Sequence, residues 1–288
     1  MKLALIGVGL IGGSFAAALR AAGRVESVCG FDIDAAASAD AVRLGIIDRS
    51  ADSIATAVAG ADLVLIATPV GAMADVLSQI ATALSAQTIV TDVGSTKVSV
   101  IDAARRALGP AFNKFVAGHP IAGRERNGVV HADRELFRNR LFITTPSEET
   151  DSAASDVVES LWRAVGARVE RLTAEDHDRV FAAVSHLPHV LAYALVAQIA
   201  SQDDSDRLFA HAGAGFRDFT RIAAASPTMW RDICLANRAA ISAALASDRG
   251  QLDQLQRAVD ASDAVELERV FEIASRARRR HSPLVDGE

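Results

Sequence analysis

At 288 residues and 50% hydrophobic, the chain is long enough to build two domains with sizeable cores. A formal net charge of −6 and a pI near 5.7 argue against a nucleic-acid or anionic-membrane partner. Cys29 and Cys234 stand too far apart for a metal-ligand pattern, and two thiols suit a reducing cytoplasm without disulfides or a metal centre.

The apolar run after Lys2 passes straight into glycines with no cleavage site, so it reads as a strand rather than a signal peptide. No apolar stretch reads as long enough to cross a bilayer. Lys2–Ile6 is expected to be a buried parallel strand, followed by Gly7-Val8-Gly9-Leu10-Ile11-Gly12-Gly13-Ser14 and an alanine-rich helix over Phe15–Ala22. A second strand, Ser27–Phe31, ends in Asp32. This order is that of a dinucleotide fingerprint. Gly7 permits the tight turn, Gly9 lets the backbone approach a pyrophosphate, and Gly12 lets helix and strand pack closely. The helix N-terminus offers free N–H groups and a positive dipole end to phosphates, and Leu10 and Ile11 of the glycine motif are expected among the cofactor contacts. Asp32 is placed to accept hydrogen bonds from ribose hydroxyls and to repel a 2′-phosphate. No Arg or Lys stands at Ile33, Asp34 or Ala35, so NAD is expected over NADP.

The alternation continues. Asp62–Ala67 reads as a strand ending in Thr68-Pro69, Met73–Leu84 as a helix, Thr88–Asp92 as a strand and Val98–Leu108 as a helix. Strand Lys114–Ala117 delivers Gly118-His119-Pro120-Ile121-Ala122-Gly123-Arg124-Glu125, a sharply turning segment. A histidine there can exchange a proton near neutral pH. Strand ends on one edge of a doubly wound sheet bind its ligands, which brings Ser95 and His119 to one crevice. Ser95 could equally cap the helix that follows it. Arg140–Thr144, a helix over Ala153–Val165 and the strand Arg168–Leu172 complete the first domain, residues 1–172.

From Thr173 to the end, residues 173–288, the pattern is helical only. Thr173 is expected to cap a long helix running toward Ile199, with a kink or break at Pro188. His186 and His189 share a helix face, as core histidines or as ligand contacts. Gly213 and Gly215 read as a loop, after which Arg217, Asp218 and Arg221 fall on one turn. An arginine here either pairs with Asp218 or grips a carboxylate bidentately. Trp230, after Pro227, reads as a buried anchor or part of a pocket lid. Asp232–Ser247 and Gln251–Arg280 read as two amphipathic helices that bury a face against a second copy of the chain. The basic run Arg276–His281 reads as a solvated helix end.

Taken together, Gly7-x-Gly9-Leu10-Ile11-Gly12-Gly13-Ser14, Asp92-x-Gly94-Ser95-x-Lys97, Gly118-His119-Pro120-x-x-Gly123-x-Glu125, Ser185-His186-Leu187-Pro188-His189 and Gly215-Phe216-Arg217-Asp218-x-Thr220-Arg221 resemble the prephenate dehydrogenase family. The family includes arogenate and cyclohexadienyl dehydrogenases of tyrosine biosynthesis. The resemblance implies a Rossmann-type domain followed by a helical dimerisation domain, and NAD-dependent oxidative decarboxylation of prephenate to 4-hydroxyphenylpyruvate. It implies His119 as the base and Ser95 as the bridge between substrate hydroxyl, His119 and nicotinamide. It also implies Arg221 as the carboxylate grip with His189 beside it. Glu125, Arg217 and His177 would form an ionic gate, His186 would contribute to the substrate pocket, and Trp230 would reach toward a partner's pocket. Thr68 and Pro69 would border the cofactor. Neither a chorismate mutase segment nor a regulatory one is expected. A β-hydroxyacid-type dehydrogenase would need a lysine in its helical half, and none follows Thr173. A non-catalytic NAD sensor would have no need for His119, Ser95 and Arg221 together.

Overall fold

The computed structural model describes residues 1–124 and 126–282. The first elements are β1 (Lys2–Ile6), α1 (Leu10–Ala21), β2 (Ser27–Phe31), α2 (Ala35–Arg43), β3 (Arg49–Ser50), α3 (Ile54–Val58), β4 (Leu63–Ile66), α4 (Met73–Ala81), β5 (Ile89–Asp92), α5 (Val98–Leu108) and β6 (Phe115–Val116). The six strands form one parallel sheet in the order β3-β2-β1-β4-β5-β6. The order reverses between β1 and β4, and the crevice at such a switch point is where doubly wound sheets take a nucleotide. Aliphatic strands covered on both faces explain the continuous apolar runs. Leu3 and Leu5 pack against Phe15, Leu19 and Trp162 on one face, and Ala4 and Ile6 against Met73, Leu77 and Ile80 on the other.

α1 begins at Leu10, earlier than the expected Phe15, so Gly12 and Gly13 lie inside it. The reason is steric. A Cβ on Gly12 would stand 2.5 Å from the Gly7 carbonyl oxygen, and only glycine lets the helix seat so close to the strand end. Gly7 itself has φ +93° with Ala67 backbone 2.6 Å from its would-be Cβ.

The chain leaves the sheet after β6. β7 (Gly118–Pro120) pairs antiparallel with β8 (Leu141–Thr144), which runs parallel to β9 (Arg168–Arg171) after α6 (Ser152–Ala164). His119 therefore sits on a short strand of a second, three-stranded sheet, not on the turn that its glycines and proline suggest. The same strand pairing fixes the direction of its side chain.

Then come α7 (Ala174–Phe181), α8 (Leu187–Ala200), α9 (Ser205–Ala210), α10 (Ala214–Thr220), α11 (Pro227–Ala236), α12 (Arg238–Asp260) and α13 (Ala264–Arg280). Thr173 caps α7, its hydroxyl accepting from Asp176 N at 3.1 Å. No break occurs at Pro188. A π-helical turn over Ala182–His186 joins α7 to α8 and leaves Pro188 in the first turn of α8, where a missing donor costs least. The joined run Ala174–Ala200 is 27 residues long and apolar enough, by length and composition, to cross a membrane. That corrects the expectation of no such stretch. Gly213 caps α10 and Gly215 lies inside it rather than in a loop. The last helices also divide differently from expectation. The first ends at Ala236, and α12 runs unbroken through Gly250 to Asp260.

Two compact units emerge, Met1–Arg238 and Ala239–Glu288. In the second, Asp263 caps α13 by accepting from Glu266 N at 3.0 Å, and Leu252, Val259, Val265, Phe271 and Ile273 are exposed.

Candidate active site

The β1 and β4 strand ends open onto a cavity of about 570 Å³, walled by Gly7, Gly9, Asp32, Thr68 and Pro69 among others. Among the described residues nothing lies within 4 Å of a Cβ built on Gly9, so the backbone there is open to a ligand. The Thr68 hydroxyl is buried without a partner among the described residues, an orphan that a bound group can satisfy. Asp32 accepts from Val8 N at 2.7 Å and Asp34 N at 2.9 Å, which fixes the carboxylate at the crevice mouth. Leu10 is buried and Ile11 half-buried at the start of α1. The volume, open glycine, orphan hydroxyl and fixed carboxylate fit a dinucleotide.

Beyond β5 and β7 lies a line of three titratable side chains. His177 Nδ1 stands 2.8 Å from Asp178 Oδ1, and His177 Nε2 stands 2.9 Å from His119 Nδ1. A carboxylate only accepts, so His177 Nδ1 carries the proton, and its Nε2 accepts from His119 Nδ1–H. His119 Nε2 is thereby left as a lone pair. Phe181 packs against both rings, 5.0 Å from His119 and 4.6 Å from His177 between centroids. Burial, with the neighbouring His177, Lys97 and His186 charges, pushes His119 well below its ordinary range, so it is neutral at pH 7. Burial likewise lowers His177, opposed by its hydrogen bond to Asp178.

Asp178 also replaces the expected cap of α5. Ser95 is not that cap. Asp178 Oδ1 accepts from Lys97 N at 2.7 Å and Oδ2 from Val98 N at 3.0 Å. The Lys97 side chain is fully buried, with Nζ 2.5 Å from Asp92 Oδ2 and 2.6 Å from the Gly118 carbonyl. Asp92 also accepts from Gly94 N at 2.7 Å and Gly118 N at 3.1 Å. One ion pair thus ties the Ser95 turn to the strand carrying His119.

Ser95 is half-buried on that turn. His186 reaches its backbone: Asn237 Nδ2 donates to His186 Nδ1 at 3.2 Å, so the other ring nitrogen carries the proton and hydrogen-bonds to Ser95. Burial pushes His186 down to about 4.

A further cavity of about 500 Å³ is walled by Arg221, His189, Trp230, Arg124 and Asn127 among others. His189 Nδ1 donates to the Ser185 carbonyl at 2.9 Å, which leaves Nε2 available, and the ring stacks on Trp230 with centroids 3.7 Å apart. Burial lowers its pKa too. A larger cavity of about 750 Å³ lies against the outer side of α5 and has none of these residues in its wall.

A family model described as the prephenate dehydrogenase nucleotide-binding domain matches residues 15–171, and one described as its dimerisation domain matches 173–273. The chain belongs to the prephenate dehydrogenase family. It is 38% identical to the prephenate dehydrogenase of Bacillus subtilis, over 94% of this chain and 73% of that one. It is 36% identical to the cyclohexadienyl dehydrogenase of Zymomonas mobilis, over 96% and 94%. Its structure aligns with the A. aeolicus prephenate dehydrogenase in complex with hydroxyphenyl propionate and NAD+ at a TM-score of 0.91, with 36% identity over 97% and 98% of the two chains.

Set against the residues that the prephenate dehydrogenase resemblance singles out, Arg221, His189 and Trp230 share one cavity, and Gly7, Gly9, Asp32, Thr68 and Pro69 share the other. His119 and Ser95 wall neither; His119 lies on β7 between them in sequence and His186 links Ser95 to Trp230, with ring centroids 6.0 Å apart. Trp230 is only 7% exposed and stacks on His189. Arg217 is exposed on α10 and walls neither cavity. Glu125 lies outside the described residues. Sequence reasoning missed Asp178, the Lys97–Asp92 pair, Asn237 and Arg124. Only Asp178 carried a local signal, as the acid directly after His177.

Proposed function

We propose that this chain catalyses NAD-dependent oxidative decarboxylation of prephenate to 4-hydroxyphenylpyruvate, as a cytoplasmic homodimer in tyrosine biosynthesis. Residues 1–172 hold the cofactor, and residues 173–288 complete the substrate pocket and pair the subunits. The exposed apolar side chains of α12 and α13 support the pairing. The observation that carries the catalytic reading is the Asp178–His177–His119 line, which leaves His119 Nε2 as an unprotonated acceptor.

Gly7, Gly9, Gly12 and the α1 N-terminus hold the pyrophosphate, Asp32 the adenosine ribose, and Thr68 and Pro69 border the dinucleotide. Bound NAD+ supplies the hydride acceptor. His119 Nε2 accepts the proton of the substrate's ring hydroxyl as that carbon becomes a carbonyl, and His177 stabilises the charge that His119 gains. Ser95 aligns the hydroxyl. Arg221 grips a substrate carboxylate, with His189 and Trp230 against the substrate. The ring carboxylate leaves as CO2, its bonding electrons completing the aromatic ring, and the carbonyl oxygen recovers a proton as the phenol.

The relative from Zymomonas mobilis supports a second reading, a dual-specificity cyclohexadienyl dehydrogenase that also takes arogenate. Following NADH formation with prephenate and arogenate in parallel separates the two. Turnover of prephenate alone supports the first reading and turnover of both the second. No turnover of either, with NAD or NADP, overturns both.

A further inference from the structure

The cavity of about 570 Å³ has a second stretch of wall beyond its glycines and Asp32. Ala72 at the start of α4, and Asp75, Val76 and Gln79 within it, line the cavity at the spacing of a single helix face. Ile33, the residue directly after Asp32, also walls it and is 97% exposed. One exposed isoleucine means little by itself. Here it follows the residue placed to hold the adenosine ribose, and the adenine base is bonded to that ribose. The base therefore meets the wall to which Ile33 and the α4 stripe belong, and its ring covers apolar surface there.

Asp75 and Gln79 are the polar members of the stripe, and both are exposed. Among the described residues neither head group has a hydrogen-bond or ion-pair partner. In the first turn of α4 the Asp75 charge favours the helix whatever else it does. What it can read is narrower. A carboxylate only accepts hydrogen bonds, whereas a carboxamide can turn to present either its oxygen or its N–H groups. Adenine carries an exocyclic amino group, a donor. Hypoxanthine carries a carbonyl oxygen at the same position, and its lone pairs would face those of a carboxylate. Asp75 thus suits the first base and opposes the second, while Gln79 can serve both. We propose that Asp75 reads the exocyclic amino group of adenine and makes the nucleotide site specific for that base, with Gln79 adding affinity but no discrimination. The inference rests on the NAD site described above and deepens it.

The test is calorimetric titration of NAD+ and of nicotinamide hypoxanthine dinucleotide into the full chain and its Asp75→Asn and Gln79→Ala variants. Thermal midpoints are measured alongside. The unmodified protein should bind NAD+ about tenfold more tightly than the hypoxanthine dinucleotide. Asp75→Asn can donate as well as accept, so it should bring the ratio close to one, mainly by tightening the hypoxanthine dinucleotide. Gln79→Ala should weaken both and leave the ratio standing. Loss of the helix-start charge alone would lower the thermal midpoint of Asp75→Asn without moving the ratio, and that result overturns the proposal. Equal binding of the two dinucleotides by the unmodified protein overturns it as well. If neither binds, the NAD site fails and the proposal with it. If both bind in the expected ratio but neither prephenate nor arogenate is turned over, only the dehydrogenase reading has failed, and the role of Asp75 stands.

Discussion

Asp178 orients His177 from directly beside it in sequence, with the carboxylate 2.8 Å from the ring Nδ1, and the same carboxylate holds the amides of Lys97 and Val98 at the start of α5. The cofactor-binding sheet and the histidine relay thus share one anion. Asp178→Asn keeps the size but can offer His177 an N–H donor instead of an acceptor, which lets the ring take the other tautomer. His119 Nε2 would then be protonated part of the time. We expect kcat to fall about 100-fold, with the NAD KM within about threefold. Steady-state kinetics check it, and a fall confined to stability would count against the relay.

His119 is neutral because burial and nearby positive charge disfavour its imidazolium, so activity should be lost on acidification only below the ordinary histidine range. The acid limb of kcat/KM should have a midpoint below pH 6.5, because protonation there removes the base. His119→Asn should lose several orders of magnitude in turnover while still binding NAD, as measured by fluorescence titration. A variant that keeps a wild-type pH profile would remove His119 from the mechanism.

The parallel sheet, the glycine turn and Asp32 were legible in sequence because each depends on neighbours a few residues away. An aliphatic strand, a glycine-permitted turn and an acid at the next strand end carry their own local physics. The site was legible only as residue types. Nothing local says that Asp178 caps a helix some eighty residues earlier, that Lys97 is buried on Asp92, or that Asn237 fixes His186. The first of these is set by how α7 packs on α5, and the last by the chain just beyond α11 meeting the α7–α8 junction. Pro188 misled for a related reason. A proline predicts a lost hydrogen bond, but a π turn upstream moves it to where no bond is lost, and frees the Ser185 carbonyl for His189.

Cofactor choice should rest on Asp32. Its carboxylate is fixed by two backbone amides at the mouth of the nucleotide cavity, where a 2′-phosphate would meet a like charge. We expect kcat/KM with NAD to exceed that with NADP by about 100-fold, and Asp32→Asn to narrow the gap to about tenfold by weakening NAD use and relieving the repulsion. The ratio of the two specificity constants is the readout. A gap unchanged by the substitution would place cofactor selection elsewhere.

His186 should make the fold acid-sensitive. It is buried with Nδ1 accepting from Asn237, and protonating that nitrogen would set two donors against each other. Its pKa is about 4 in the folded chain, against an ordinary value near 6.5 once unfolded. Above pH 6.5 neither state binds the proton and the group contributes no slope. Between pH 6.5 and 4 the unfolded chain takes up a proton that the folded one refuses, so stability falls as acid is added. Below that range both states are charged and the loss levels off. The full loss is about 3 kcal/mol for this side chain alone, and His119 and His177, lowered in the same direction, add to it. Urea unfolding at a series of pH values should show this decline, and His186→Gln, though less stable at pH 7, should show a shallower one. Parallel curves for the two proteins would mean that His186 is not among the groups that charge on unfolding.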